Sequence, residues 1–300
     1  MSVTFGGRVA VSRDAGVAYC DPSGGPAWLK DARISGAGGA MRLTDASGEV
    51  REQGRMLAEG AFGKVYLFAR AGAEADVVVK VMPRVVKRKP NVEAVKEERL
   101  AAVFASLGCD TIPARVPVAS TKNFAFVAMP RATGSLRSLA GKLRQAEAIG
   151  ITKEAAKICA CLAAHGYLYT DTKADNFLYF PAPRRAVNVF LADLGGACPT
   201  GTLAEDATYT VWDDKAKPAE LASEADVAFA LAVMLVQLAA PPVTRAGANW
   251  WDQLEATPQA ERKWSAIWAS VKADVPAWAA EIFQRTKGAK TLAQFSASLA

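Results

Sequence analysis

The stretch Tyr169-Thr170-Asp171-Thr172-Lys173-Ala174-Asp175-Asn176 places a carboxylate, an ammonium two residues on and a carboxamide five residues on within one short polar segment. It lies between a helix-like segment and the apolar Phe177-Leu178-Tyr179, and a second acidic turn, Asp193-Leu194-Gly195-Gly196, follows Leu191-Ala192. The two read D-x-K-x-x-N and then D-L-G. Upstream, Leu57-Ala58-Glu59-Gly60-Ala61-Phe62-Gly63-Lys64-Val65 sits between strand-like stretches. Glycines at 60 and 63 let backbone amides approach phosphate oxygens with no Cβ in the way. Alone, such a pair of glycines also fits a plain hairpin. Lys80, however, ends Val77-Val78-Val79-Lys80, seventeen residues after Gly63, a spacing that suits a second hairpin strand carrying an ammonium beneath the loop.

Taken in order, the glycine loop, the strand lysine, D-x-K-x-x-N and D-L-G resemble the signature set of the protein kinases. The resemblance spans about residues 51–300. It implies MgATP as phosphate donor and a protein hydroxyl as acceptor. Gly60 and Gly63 would cover the phosphates, Val65 would meet the adenine, and Ala58, Val78 and Leu178 complete the implied nucleotide site. Lys80 would hold the α- and β-phosphates and pair with a glutamate of the first helix. Glu97 is the preferred partner, because Leu100 and Phe104 then fall on the core side, with Glu98 and Glu93 as alternatives. Asp171 would orient the substrate hydroxyl and accept its proton, and Lys173 would stabilise the transferring phosphoryl group. Asn176 and Asp193 would hold Mg²⁺ through oxygen ligands, as this hard cation requires. The resemblance also implies a gatekeeper at Ala128, opening a pocket behind the adenine, and hinge contacts from Met129 C=O and Arg131 N–H. Lys173 is similar to the lysine of Ser/Thr kinases, whereas tyrosine kinases place alanine or arginine there and small-molecule kinases generally lack it.

Several landmarks depart from the family pattern. Ala58 stands at the first glycine of the loop, Leu194 at the usual phenylalanine, and Tyr169-Thr170 at the usual His-Arg. Thr170 has no charge with which to grip an activation-segment phosphate, so activity is expected not to depend on one. Val211-Trp212-Asp213-Asp214 stands in for Ala-Pro-Glu, with Lys290 as a candidate partner for Asp214. Asp226 starts a segment that resembles the buried central helix of the large lobe, where its carboxylate would anchor the catalytic-loop backbone. A retained catalytic set among eroded landmarks resembles the divergent kinases of large DNA viruses. The same erosion also fits a pseudokinase, a nucleotide-binding or scaffolding module without turnover.

The elements that must position these residues are legible in outline. Val65–Phe68, Val77–Val79, Val116–Val118 and Phe124–Met129 read as strands, the first two separated by the turn-like 70–73. A helix is predicted over 92–107, with an apolar stripe through Val92, Val95, Leu100 and Val103. After Gly134 the periodicity is helical, with Thr152 as a cap and Gly166 as a stop. The expected fold is α+β and bilobal: residues 1–50 a Gly/Ala-rich extension, 51–132 a small β-rich lobe with one main helix and the hinge, 133–300 a larger, mostly helical lobe. The extension is read as loosely built, with the short strand-like pieces Arg8–Ser12 and Met41–Thr44 as candidate added strands, and as either a regulatory arm or a disordered tail.

Composition agrees with a globular protein. Of 300 residues, 51% are hydrophobic, enough for a large core, and the net charge of +6 owes much to Arg84, Lys87, Arg88 and Lys89. That cluster suits a solvated loop better than a groove for phosphate-bearing partners, and no specific nucleic-acid binding is expected. The five cysteines show no metal-ligand or disulfide-framework spacing and read as reduced thiols of an intracellular protein. The longest apolar run, 227–240, contains Gln237 and stops at Pro241-Pro242, so it reads as a buried helix rather than a membrane span. His165 and the tryptophans at 250, 251, 264, 268 and 278 read as a helix-terminal residue and as core.

Overall fold

Val65-Tyr66-Leu67-Phe68 and Val77-Val78-Val79 fold as neighbouring antiparallel strands, because β-branched and aromatic side chains fill a pleated, half-buried surface. The computed structural model describes residues 2–5, 9–12, 33–35, 41–44, 48, 50–60, 63–69, 77–86, 89–106, 116–118, 124–180, 188–203, 211, 213, 220–243, 247, 249–257 and 263–300. The turn at 70–73, Lys87, Arg88, Cys20, Cys109, Trp212 and Asp214 lie outside the described residues. The chain forms two compact units, one of Met1–Thr133 with Phe180–Asn188 and one of Gly134–Tyr179 with Val189–Ala300.

In the first unit the elements run β1 (Ser2–Phe5), β2 (Val9–Ser12), β3 (Arg33–Ser35), β4 (Arg42–Thr44), β5 (Val50–Gly60), β6 (Gly63–Ala69), β7 (Val77–Pro83), β8 (Val85–Val86), β9 (Lys89–Pro90), α1 (Val92–Ser106), β10 (Val116–Val118) and β11 (Phe124–Pro130). Seven strands form one sheet in the order β10-β11-β7-β6-β5-β4-β3, and every pairing is antiparallel. One face buries Phe68, Val77, Val79, Val81, Phe126 and Ala128 together with Met41 and Leu43. Residues 33–35 and 42–44, within the expected extension, add two strands to the sheet, and Met41 and Leu43 fill part of its core. Helix α1 packs against β10 and β11. Its expected stripe is corrected: Val92 and Val95 are 69% and 52% exposed, while Ala94, Glu97 and Leu100 are buried. A buried carboxylate occupies the inner face, so the helix is rotated about its axis relative to a purely apolar reading.

The second unit continues with β12 (Gly134–Ser135), a 3-10 turn at Leu136–Leu139, α2 (Gln145–Ala164), β13 (Tyr167–Tyr169), a 3-10 turn at Ala174–Asn176, β14 (Phe177–Phe180), β15 (Asn188–Leu191), β16 (Ala197–Pro199), α3 (Glu224–Ala239), α4 (Trp250–Ala256), α5 (Trp264–Val271), α6 (Ala277–Thr286) and α7 (Leu292–Ser298). Helix α3 is apolar on nearly every side and buried throughout Val227–Ala239, so it must be surrounded; α2, α6 and α7 pack on it. Helix α2 starts seven residues before the expected cap at Thr152. Arg144 and Glu147 cap it, and the Thr152 hydroxyl donates to Ala148 O one turn back, a bond open to threonine inside a helix. Gly166 ends it at φ +80°, and His165 Nδ1 lies 2.8 Å from Cys161 O at that terminus.

Trp250, Trp251 and Trp264 are buried. Trp268 is half-buried and, with Trp264, rests on the Phe283 ring. Cys159 and Cys198 are buried free thiols, and burial pushes the Cys159 thiol up to about 12. Cys161 is disulfide-bonded, which corrects the reading of five reduced thiols. Among the described residues no helix is long and apolar enough to cross a membrane.

Candidate functional site

Strand pairing collects the first group of residues. Ala58 faces Val65 across β5 and β6, Val65 faces Lys80 across β6 and β7, and Lys80 faces Val127 on β11. Directly opposed residues share a face of the sheet, as do residues two apart on one strand. Ala58, Val65, Val78 and Lys80 therefore lie on one face. At its edge Gly60 pairs with Gly63 at the end of the β5–β6 hairpin. A Cβ on Gly63 would meet Val81 O at 2.6 Å, so this glycine is required by the approach of β6 to β7. Lys80 Nζ donates to Glu97 Oε2 at 2.7 Å, with side chains 11% and 3% exposed.

The second group lies on the loop between β13 and β14. Asn176 Nδ2 donates to both Asp171 O (2.7 Å) and Asp171 Oδ2 (2.8 Å), and Lys173 Nζ lies 3.7 Å from Asp171 Oδ2. Thr172 Oγ1 donates to Tyr169 O, closing the turn around Asp171. Strand β13 pairs with β16 through Tyr169↔Ala197, and Thr170, fully buried, donates both its N–H and its hydroxyl to Gly196 O. Ala192 N donates to Asn176 O at 2.6 Å, which seats the Asp193 turn beside Asn176. Gly195 N donates to Asp193 Oδ1 at 2.8 Å and orients that carboxylate.

A sheet with one packed helix in one unit, and a polar loop over an apolar central helix in the other, can be compared with solved structures. The structure of the kinase PK-1 of Cydia pomonella granulovirus matches with a TM-score of 0.61 at 15% identity, over 83% of this chain and 95% of that one. The fold is that of a protein kinase. No family model matches the sequence, and no curated protein matches it either.

Two expected positions are corrected. Ala128, expected to line the nucleotide pocket, pairs with Val79 and is buried in the core on the opposite face of the sheet from Lys80. Met129 pairs with Val78 and presents its side chain on the Lys80 face, 6% exposed. A strand alternates faces at every residue, so a reading shifted by one exchanges pocket for core. Asp226, expected to anchor the backbone of the 171–176 loop, makes no hydrogen bond to it. Its Oδ2 accepts from Ser223 N and Oγ in a capping box at the start of α3. The loop is instead held from α3 by Gln237, whose Oε1 accepts Ala174 N at 3.2 Å.

Arg131 is half-buried beyond the end of β11, and Leu178, half-buried on β14, pairs with Ser135. Lys290 is exposed, and its expected partner Asp214 is not among the described residues. Sequence reasoning missed Arg137, which pairs with Asp175 at 3.2 Å inside the 171–176 loop while its guanidinium lies 4.8 Å over the Trp251 ring. It also missed Gly196. A Cβ there would stand 2.5 Å from Asp171 Cβ and 3.1 Å from Asp171 N; the doubled glycine after Asp193 was the available signal.

The residues fit Mg²⁺. With Nδ2 of Asn176 committed to Asp171, its Oδ1 is the atom that would ligate such an ion, together with the oriented carboxylate of Asp193. No cluster of three or more His, Cys, Asp or Glu side chains occurs among the described residues. Mg²⁺ needs none, since it takes one or two protein oxygens and completes its shell with water and phosphate.

Proposed function

We propose that this chain is a protein kinase that transfers the γ-phosphate of MgATP to serine or threonine hydroxyls of protein substrates. The observation that carries the reading is the complete polar set in bonded arrangement: Lys80 with Glu97, Asp171 with Lys173 and Asn176, and Asp193 turned by Gly195. Glu97 holds the Lys80 ammonium toward the α- and β-phosphates. Asp171, oriented by Asn176, accepts the hydroxyl proton, and Lys173 balances charge on the transferring group. Asn176 and Asp193 hold Mg²⁺, which when bound neutralises phosphate charge. Such a set suffices because phosphoryl transfer is largely positioning and charge stabilisation. Thr170 ties the loop to Gly196 by direct hydrogen bonds, which supports activity independent of an activation-segment phosphate. The granulovirus likeness supports the reading of a divergent kinase of viral type acting inside a cell.

The test is transfer of labelled phosphate from ATP to a generic basic protein, with and without EDTA, before and after phosphatase treatment, with Asp171→Asn as the blank. Magnesium-dependent labelling of serine and threonine, insensitive to phosphatase treatment, is the expected result. A second reading, a pseudokinase, is favoured by Ala58 and by Val211-Trp212-Asp213-Asp214. It predicts a melting temperature raised by nucleotide with no transfer to any substrate.

The corrected strand register makes a separate prediction. Met129→Ala should allow bulky N6-substituted ATP analogues to be used, because it shortens a side chain on the Lys80 face. Ala128→Met should leave nucleotide choice unchanged and instead lower stability by about 1–3 kcal/mol through overpacking of the opposite core. Analogue use that responds to position 128 and not to 129 would refute the assignment.

A further inference from the structure

The apolar run 227–240 contains one polar side chain, Gln237, and it is buried on α3, 2% exposed. A buried amide in an apolar helix is costly unless hydrogen-bonded, so its partner identifies its role. That partner is the backbone N–H of Ala174, across 63 positions of sequence, at 3.2 Å. Ala174 is itself fully buried. It is the first residue of the 3-10 turn Ala174–Asn176, where an N–H has no acceptor within its own turn. Lys173 precedes it, Asn176 lies two residues on, and Asn176 N closes the turn on Lys173 O at 3.0 Å. Fixing Ala174 therefore fixes the two residues that contact Asp171.

We infer that Gln237 is a positioning residue: its amide oxygen, presented by the central helix, sets the height and angle of the 171–176 loop and through it the Asp171 carboxylate. The inference rests on the proposed phosphotransfer for its effect on rate. The anchoring of the loop can be read without it.

Gln237→Met keeps the volume and removes the acceptor, stranding the Ala174 N–H. Ala174→Pro removes the donor as well. Proline suits the first position of a helical turn, and Lys173 before it has φ −154° and ψ 159°, the extended conformation that a residue preceding proline needs. Hydrogen exchange of the 171–177 peptide, steady-state kinetics and the melting temperature are measured for wild type, Gln237→Met, and the double variant with Ala174→Pro. In Gln237→Met, exchange protection of the loop should fall at least about tenfold while α3 amides stay protected. Its kcat should fall about tenfold with KM for ATP within about twofold. The double variant should recover kcat to within about threefold of wild type, since no buried donor is left unpaired. Unchanged protection in Gln237→Met overturns the inference, whatever the activity. So does lost protection with kcat intact, which reduces Gln237 to a stability element. A wild type that transfers no phosphate sinks the kinase reading on its own, while the exchange measurement still decides whether Gln237 holds the loop.

Discussion

Gly196→Ala is expected to lower phosphate transfer by about a hundredfold or more, because a misplacement of reacting groups by about 1 Å is enough for that. The new methyl would sit 2.5 Å from Asp171 Cβ, 3.1 Å from Asp171 N and 3.2 Å from Tyr169 Cε2. Two of these are on or next to the backbone of the 171–176 loop and cannot swing aside as the tip of a long side chain could. Either Asp171 shifts, or Gly196 shifts and its carbonyl leaves Thr170 N and Oγ1. Both displace the proposed proton acceptor from the loop that orients it. The stability loss should be about 1–3 kcal/mol, the ordinary cost of overpacking, so the variant should still fold. Gly150→Ala is the natural contrast. Its added Cβ meets nothing within 4 Å, in the interior of helix α2, and alanine there should stabilise the protein by about 0.5–1 kcal/mol at unchanged rate. A Gly196→Ala enzyme within about threefold of wild type, at a saturating substrate level, would show that the close approach does not govern the reaction.

What was legible in the sequence follows the range over which each signal acts. The polar loop, the Asp193 turn and the glycine hairpin are local, so residue type and spacing suffice to read them. Lys80 and Glu97 lie seventeen positions apart, yet the pair was readable because α1 has a core side and Leu100 marks it. Ala128 was misplaced for the opposite reason. Along Phe124–Pro130 the five residues from Ala125 to Met129 are all apolar and buried, so no alternation of polarity shows which side chains face Lys80, and only pairing with β7 decides it. Asp226 was misassigned because a carboxylate at the third position of a helix is a strong capping residue, and Ser223 was available to complete the box. Gln237 and Gly196 act across the fold. Their signals, an amide in an apolar run and one glycine more than the turn needs, are visible in sequence but gain a meaning only when the 171–176 loop is laid over them.

Glu97→Gln is expected to cost about 3 kcal/mol of stability in the first unit and to abolish most of the transfer, because it removes the carboxylate that balances a nearly buried ammonium at 2.7 Å. In the native chain the Lys80 charge, 11% exposed, is compensated at 2.7 Å by a carboxylate that is 3% exposed. An amide at 97 can still accept a hydrogen bond but no longer balances the charge, and a nearly buried charge is costly once its counter-charge is removed. Stability and chemistry can be separated by removing both partners. Lys80→Met with Glu97→Leu replaces the pair by apolar side chains among Val65, Val78 and Val127, a change that is often neutral or stabilising for a buried ion pair. The double variant should therefore unfold at a denaturant concentration close to that of wild type, while phosphate transfer stays lost because no ammonium remains to hold the α- and β-phosphates. Recovery of stability without recovery of activity would assign the pair to nucleotide positioning. A double variant that is as unstable as Glu97→Gln would mean that the ion pair itself holds α1 against the sheet, and a double variant that transfers phosphate at the wild-type rate would remove Lys80 from the proposed site.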